Sequence, residues 1–252
     1  SASVFFGQGQ DGELTTREEK RAFFEKLGID ILVEYPLNRQ TAAIEPEEFL
    51  RKILCKQMNL AYVAAGQDLS FGYQGKGDRR LLERFSGDLS YEVRIIDKVF
   101  DGEREISSTY VRECVEKGDM EKAEELLGRA YSFTGKVERG KQLGRRLGMP
   151  TLNLYPPEEK LLPPRGVYYS RVLFEGGTYP GITNIGYKPT VNEEKKISVE
   201  TYLYDFDRDM YGSEIVTELL HYKRPEKKVA NISELKTQME SDISQGRQYH
   251  NC

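Results

Sequence analysis

Hydrophobic and polar positions alternate with two different periods along this chain. In residues 1 to about 127, apolar runs of strand length take turns with stretches of helical period. "LTTREEKRAFFEKLG" carries Thr16 with Glu19 three residues on, a capping box, and Gly28 as a stop. "IDILVEY" reads as a buried strand, and "PEEFLRKILCKQM" as a helix with Pro46 in its first turn. "LAYVAAG" is a strand ending in glycine; "GDRRLLERF", "YEVRIIDKVF" and "STYVRECVEKGDMEKAEELLG" continue as helix, strand and helix pair. Such alternation predicts an α/β domain with a mostly parallel, Rossmann-like sheet. From about residue 131 the spacing changes. "VYYSRVLFEGGTYPGITNIGY", "ISVETYLYDF" and "EIVTELLHYKR" are strands parted by Gly, Pro and Asn turns, and "SELKTQMESDISQG" closes the chain as a helix with Ser233 as N-cap. Consecutive short strands with one late helix predict a small antiparallel β-barrel. The change falls near Gly128, giving domains 1–128 and 129–252.

Composition narrows the function without fixing it. Of 252 residues 31% are charged, yet the net charge is only −4, so nothing argues for nucleic acid or an anionic membrane as partner. No apolar run reaches membrane-spanning length. The three cysteines, Cys55, Cys114 and Cys252, lie far apart without metal-ligand spacing and read as free thiols of a reducing compartment, the cytoplasm. The two histidines, His221 and His250, both lie near the C-terminus. Composition leaves the oligomeric state open.

The densest chemistry lies in "GKVERGKQLGRRLGMPTLN". Gly135, Gly140, Gly144 and Gly148 would let backbone amides approach an anion beside Lys and Arg, or would serve a twisted hairpin's turns. Pro150 disfavours helix at Met149, so Thr151 and Asn153 enter an extended segment and point to one face. Their neutral oxygens suit a hard cation that keeps waters and takes phosphates as further ligands, as magnesium does with ATP. Side-chain-to-backbone bonds of a turn would use the same residue types. In "ISVETYLYDF", alternation sets Ser198, Glu200, Tyr202, Tyr204 and Phe206 on one face. A carboxylate among aromatic rings is either paired with a cation at a sheet edge or available to take a proton from an alcohol attacking a phosphate.

With "LGMPTLN", "GVYYSRV", "GITNIGYKPT", "VETYLYDFDRDMYG" and "RPEKK" in this order, residues 131 to about 246 resemble riboflavin kinases. The resemblance implies a six-stranded antiparallel barrel that moves the γ-phosphate of ATP to the 5′-hydroxyl of riboflavin, giving FMN. It implies that Thr151 and Asn153 hold Mg·ATP, that the glycine loop (Gly135, Gly140, Gly144, Gly148) encloses the nucleotide, that Glu200 is the base, and that Arg224 and the last helix lie on the flavin side. Leu152 stands where the family often has alanine.

"LTTREEKRAFFEKLGID", "PEEFLRKIL", "AAGQDLSFGYQGKGD" and "ISSTYVRECVEKGDMEKAEELLGRAY" similarly resemble the FMN adenylyltransferase domain that precedes a riboflavin kinase in bacterial bifunctional FAD synthetases. Ser107, Ser108, Thr109 and Arg112 would then face a triphosphate at a helix start, although "SST" is also an ordinary N-cap. That family carries a first strand ending in His-x-Gly-His, and no such motif occurs in residues 1–252. The expectation is therefore a riboflavin kinase whose FAD synthesis depends on a segment not found here. Rival readings are a kinase with a degenerate adenylyltransferase half, a flavin- or nucleotide-binding barrel without turnover, and a nucleic-acid-binding barrel. Glu200 argues against the second, and the acidic balance against the third.

Overall fold

The computed structural model describes residues 12–140, 143–189, 195–227 and 229–252. They form two compact units that interleave along the chain: Gly28–Ile106 makes one, and Asp11–Leu27 with Ser107–Cys252 makes the other. Packing thus divides the chain elsewhere than composition does, because helix α1 (Arg17–Lys26) and the helices before Gly128 belong with the barrel. The capping box of α1 is present: Thr16 Oγ1 accepts from the Glu19 amide, and Glu19 accepts from the Thr16 amide. Gly28 follows at φ 75°, in the left-handed region that ends helices.

In the unit of Gly28–Ile106, helix α2 (Pro46–Glu48) runs on as a π-helical stretch, Phe49–Gln57. Strand β1 (Tyr62–Gly66) follows, then helix α3 (Arg79–Leu89), whose N-cap Asp78 accepts from the Leu81 amide. Strand β2 (Glu92–Ile96) pairs with β1 in parallel, Tyr62 opposite Glu92 through Gly66 opposite Ile96. A short hairpin, β3 (Phe100–Asp101) and β4 (Arg104–Glu105), completes the unit. Its core is Leu50, Leu82, Phe85 and Tyr91. The strand expected at "IDILVEY" does not form: residues 29–35 are irregular, and Ile31 is 79% exposed. An apolar run becomes a parallel strand only beside a neighbour that completes its ladder, and among the described residues β1 and β2 pair only with each other.

The second unit continues with α4 (Ser108–Lys117) and α5 (Met120–Leu127), joined through Gly118. Six strands follow: β5 (Tyr131–Lys136), β6 (Thr151–Leu154), β7 (Gly166–Phe174), β8 (Gly177–Pro189), β9 (Lys195–Leu203) and β10 (Glu214–Pro225). They form one antiparallel sheet in the order β5-β10-β7-β8-β9-β6. The β7–β8 connection places Glu175 and Gly176 both at positive φ, the turn type that matches strand twist. Period-2 alternation sends Tyr168, Val172, Ile185, Val199, Ile215 and Leu219 to the buried interior, where Thr183 also bonds Ser170 and Thr201 at 2.7 Å. Between β5 and β6 lies the short helix α6 (Leu143–Arg146). The last helix, α7 (Ile232–His250), starts two residues earlier than expected: Asn231, not Ser233, caps it by accepting from the Glu234 amide.

Helix α1 is tied to the barrel by a buried ion pair. Lys160 Nζ lies 2.6 Å from Glu19 Oε2 and also donates to the Leu14 carbonyl, over the rings of Tyr131 and Phe133. Glu19 Oε1 accepts from the Thr134 amide at 3.2 Å. Burial pulls Lys160 below the ordinary lysine range, and Glu19 opposes that pull.

Candidate active site

One row across the sheet assembles most of the expected chemistry. Register sets Asn153 of β6 opposite Glu200 of β9, Glu200 opposite Asn184 of β8, Asn184 opposite Val167 of β7, and Val167 opposite Arg224 of β10. Directly paired residues share a face of an antiparallel sheet, so these side chains form a line on the barrel's outer surface. The next row on that face runs Thr151, Tyr202, Ile182, Tyr169. Helix α7 lies over it, contributing Leu235, Met239, Asp242 and Ile243, and the space between is a cleft of about 270 Å³. Gly144, Thr151, Glu200 and Arg224, four residues singled out from the sequence, line this cleft together with Asn184.

Each polar group there has a defined setting. Ser198 Oγ donates to Glu200 Oε1 at 3.4 Å from two residues along the strand. Asn153 is buried and its amide donates to the Thr151 carbonyl at 3.3 Å, which fixes the pair of oxygens on one edge. Arg224 is not a solvated cation. Its guanidinium forms a two-pronged pair with Asp242 of α7, which is only 6% exposed, and Gln238 adds a bond to the same carboxylate. Arg224 therefore anchors the helix that walls the cleft.

A second cavity, about 160 Å³, shares the lining residue Thr151 with the first. Arg145, Pro150, Phe206, Arg208 and Tyr211 are among its lining residues. The Arg208 guanidinium packs near Phe174, Tyr179 and Phe206 and pairs with Glu175 at 3.2 Å.

The glycines divide between local geometry and the cleft. A Cβ at Gly144 would collide with the Met149 carbonyl, the point where α6 turns into β6, and Gly148 at φ 81° ends that helix. Gly140 packs against the Asn153 carboxamide, leaving no room for a side chain. Gly135 lies in β5 opposite Ile215; neither it nor Gly148 lines these two cavities. Residues 141 and 142 of the loop lie outside the described residues. On α4, Ser107 is the N-cap, accepting from the Tyr110 amide at 3.3 Å, while Ser108 and Thr109 are exposed. Arg112 Nη1 reaches the Ser108 carbonyl at 3.5 Å, and its buried Nε has no hydrogen-bond partner among the described residues. These four residues form a group of their own, apart from the lining of both cavities.

Among the described residues no cluster of three or more His, Cys, Asp or Glu side chains could hold a metal ion. A cation at Thr151 and Asn153 would have to bring most of its ligands with it, which suits a phosphate-bound ion. Asn184 escaped the sequence reading. Alternation assigns it a face, but only cross-strand register reveals that it neighbours Glu200.

Known proteins resemble both halves. A riboflavin kinase family model matches residues 127–250, and an FAD synthetase family model matches residues 1–110. The bifunctional riboflavin kinase/FMN adenylyltransferase of Listeria monocytogenes is 34% identical over 236 residues, 94% of this chain and 74% of that protein. The chain belongs to the bifunctional riboflavin kinase/FMN adenylyltransferase family. The Bacillus subtilis member is 33% identical, covering 96% of this chain and 78% of its own length. A crystal structure named for a macrolide-efflux protein from Streptococcus pneumoniae superposes with a TM-score of 0.82 at 26% identity, over 96% of this chain and 79% of that one. Among the described residues no helix is long and apolar enough to cross a membrane.

Proposed function

We propose that this member of the family is a riboflavin kinase, moving the γ-phosphate of ATP to the 5′-hydroxyl of riboflavin to give FMN, in a chain whose N-terminal half serves FMN adenylylation to FAD. The observation that carries the reading is that Thr151 lines both cavities, on the strand paired with the one that holds Glu200. A two-substrate transfer needs two sites that touch where the group crosses. The larger cleft, walled by Tyr202, Ile182 and Met239, suits a flat apolar ring system with a polar tail. The smaller, with Arg145 and Arg208 beside Phe206, suits a nucleotide.

Thr151 Oγ1 and Asn153 Oδ1 are the residues that would hold magnesium with the ATP phosphates. The ion, when bound, neutralises charge on the transferring phosphoryl group. Glu200 accepts the proton of the riboflavin 5′-hydroxyl as that oxygen forms its bond to the γ-phosphorus and ADP leaves. Helix α7, held by the Arg224–Asp242 pair, keeps water from the cleft. Ser107, Ser108, Thr109 and Arg112 are our assignment for the triphosphate side of the adenylyltransferase; Arg112, with a buried Nε lacking a partner among the described residues, is the strongest of them. The substrates and products are small molecules: riboflavin, FMN and ATP.

The test is Glu200→Gln, which keeps shape and removes the proton acceptor. FMN formation, followed by separating riboflavin, FMN and FAD, should fall about a hundredfold or more while riboflavin and ATP still bind. Near-normal turnover by the folded variant rules out Glu200 as the base, whereas a wild type that binds riboflavin and ATP but makes no FMN favours the rival reading of a flavin-binding barrel without turnover.

A further inference from the structure

Two groups of polar side chains line the larger cleft on different strands. Thr151 and Glu200 belong to the paired strands β6 and β9. Arg224 belongs to β10, and Asp242 and Gln238 of α7 are bonded to it and to each other in series. Three strand spacings, about 14 Å along the row, separate Glu200 from Arg224. Val167 and Ile182 stand on the strands between, and Met239 and Ile243 of α7 line the same space. A ligand that spans the cleft therefore meets polar groups at both ends and apolar ones in the middle.

Chemistry fixes the orientation of one carboxamide in the second group. Gln238 Nε2 donates to Asp242 Oδ1 at 3.2 Å. A carboxylate paired with the Arg224 guanidinium only accepts, so the NH₂ end of Gln238 must face it and the oxygen must point elsewhere. Among the described residues no group bonds Gln238 Oε1, and the NH₂ group keeps a second N–H. Gln238 thus brings to the cleft an acceptor with a donor beside it.

The oxidised isoalloxazine ring system carries a single N–H, at N3, set between the C2 and C4 carbonyls. With the ribityl 5′-hydroxyl at Glu200, the rings extend along the apolar strip towards Arg224 and Gln238. Resting on the reading of this cleft as the riboflavin site, we propose that Gln238 is a specificity-determining residue that reads the pyrimidine edge of the flavin: Oε1 accepts from N3–H, and the second Nε2 hydrogen donates to the adjoining carbonyl. The Arg224–Asp242 pair then does more than anchor α7, because Asp242 holds the carboxamide the right way round. A ring system without the N3 donor leaves the Gln238 oxygen without that bond, and sites built to bond a substrate N–H discriminate against analogues that lack it.

The experiment compares riboflavin with 3-methylriboflavin, in which methyl replaces the N3 hydrogen while the tail and the reacting hydroxyl are unchanged. Wild type, Gln238→Ala and Gln238→Met are assayed for phosphorylation of each flavin at saturating Mg·ATP. In wild type, KM for 3-methylriboflavin should exceed that for riboflavin about tenfold or more, with kcat changed less than about threefold. Gln238→Ala should raise KM for riboflavin about tenfold and leave KM for 3-methylriboflavin within about threefold of wild type, so that the two values converge. A merely structural role would raise both KM values together and preserve their ratio. A folded Gln238→Ala with the wild-type ratio overturns the inference, as does a wild type that uses both flavins equally well. A wild type that phosphorylates neither flavin overturns the riboflavin kinase reading, and this inference with it. Should Gln238→Ala not fold, Gln238→Met decides: a ratio drawn towards one supports the proposal, and the wild-type ratio overturns it.

Discussion

The two compact units bury their strands to very different degrees. In the barrel unit every strand except the terminal β5 and β6 has a partner on both sides, and Val172, Ile185, Val199 and Leu219 are fully buried. In the unit of Gly28–Ile106 the parallel pair β1–β2 shows an alternation of exposed and half-buried positions, and Ile29, Ile31, Leu32, Val33 and Tyr35 remain exposed. Both halves carry stretches that resemble their families, and the two cavities described above are lined by residues of the barrel unit. A motif records which residue types chemistry requires. A site also requires neighbours that hold them, and in the barrel unit six strands and one helix supply those neighbours.

The sharpest way to exploit this contrast is to ask each half for its product. FAD formation needs donors aimed at the pyrophosphate leaving group, and removing such donors commonly costs several kcal/mol of transition-state stabilisation. Ser107, Ser108, Thr109 and Arg112 offer one side of such a clamp. The only histidines of the 252 residues are placed elsewhere, His221 against Glu121 and His250 against the Gly181 carbonyl. A protein of these 252 residues should therefore make FMN readily and FAD at least about a hundredfold more slowly, read by chromatography of a riboflavin and Mg·ATP incubation. FAD appearing at a rate comparable to FMN would break the comparison, and would assign the clamp to a residue other than histidine.

A second test separates the units by stability. Helix α1 precedes the unit of Gly28–Ile106 in the chain, but Glu19 and Lys160 bind it to the barrel with side chains 3% and 2% exposed. Lys160→Met leaves a buried carboxylate without its cation and should destabilise the barrel unit by about 3–5 kcal/mol in urea unfolding. The double change Glu19→Gln with Lys160→Met should recover most of that loss, because the amide keeps the acceptor used by the Thr134 amide. A single-variant cost near zero would mean that α1 is no part of the barrel's cooperative unit.

This pair also marks the limit of what the sequence makes legible. Local signals survived: Thr16 and Glu19 form the capping box, Pro46 opens its helix, and alternation along "ISVETYLYDF" put Glu200 on the face with Tyr202 and Tyr204. Features set by distant partners did not. No local pattern marks Lys160, whose partner Glu19 is 141 residues away. Asn184 reads as a turn residue until register places it beside Glu200. "IDILVEY" has the composition of a strand, but a strand is a property of a ladder. Ser233 lost the cap position to Asn231 because both residue types suit it and only chain direction decides.

The smallest expected effect concerns the C-terminal end of α7, beyond the residues that line the cleft. His250 Nε2 meets the Gly181 carbonyl at 3.1 Å, with the rings of Tyr169, Tyr204 and Tyr249 around it and Arg171 among the charges it feels. Burial holds its pKa below the ordinary histidine value, only partly offset by the bond to Gly181, and Arg171 acts in the same direction as burial. The folded state thus binds fewer protons at this site than the unfolded chain. Its contribution is present above the ordinary value of about 6.5 and is lost as pH falls through the lower folded value. The Tm of the wild type should therefore drop more steeply from pH 7 to 5 than that of His250→Gln, whose amide can donate to the same carbonyl but does not titrate. Parallel Tm profiles would show that the last turn of α7 is held without regard to the charge on His250, by ties such as the Arg247–Asp205 pair.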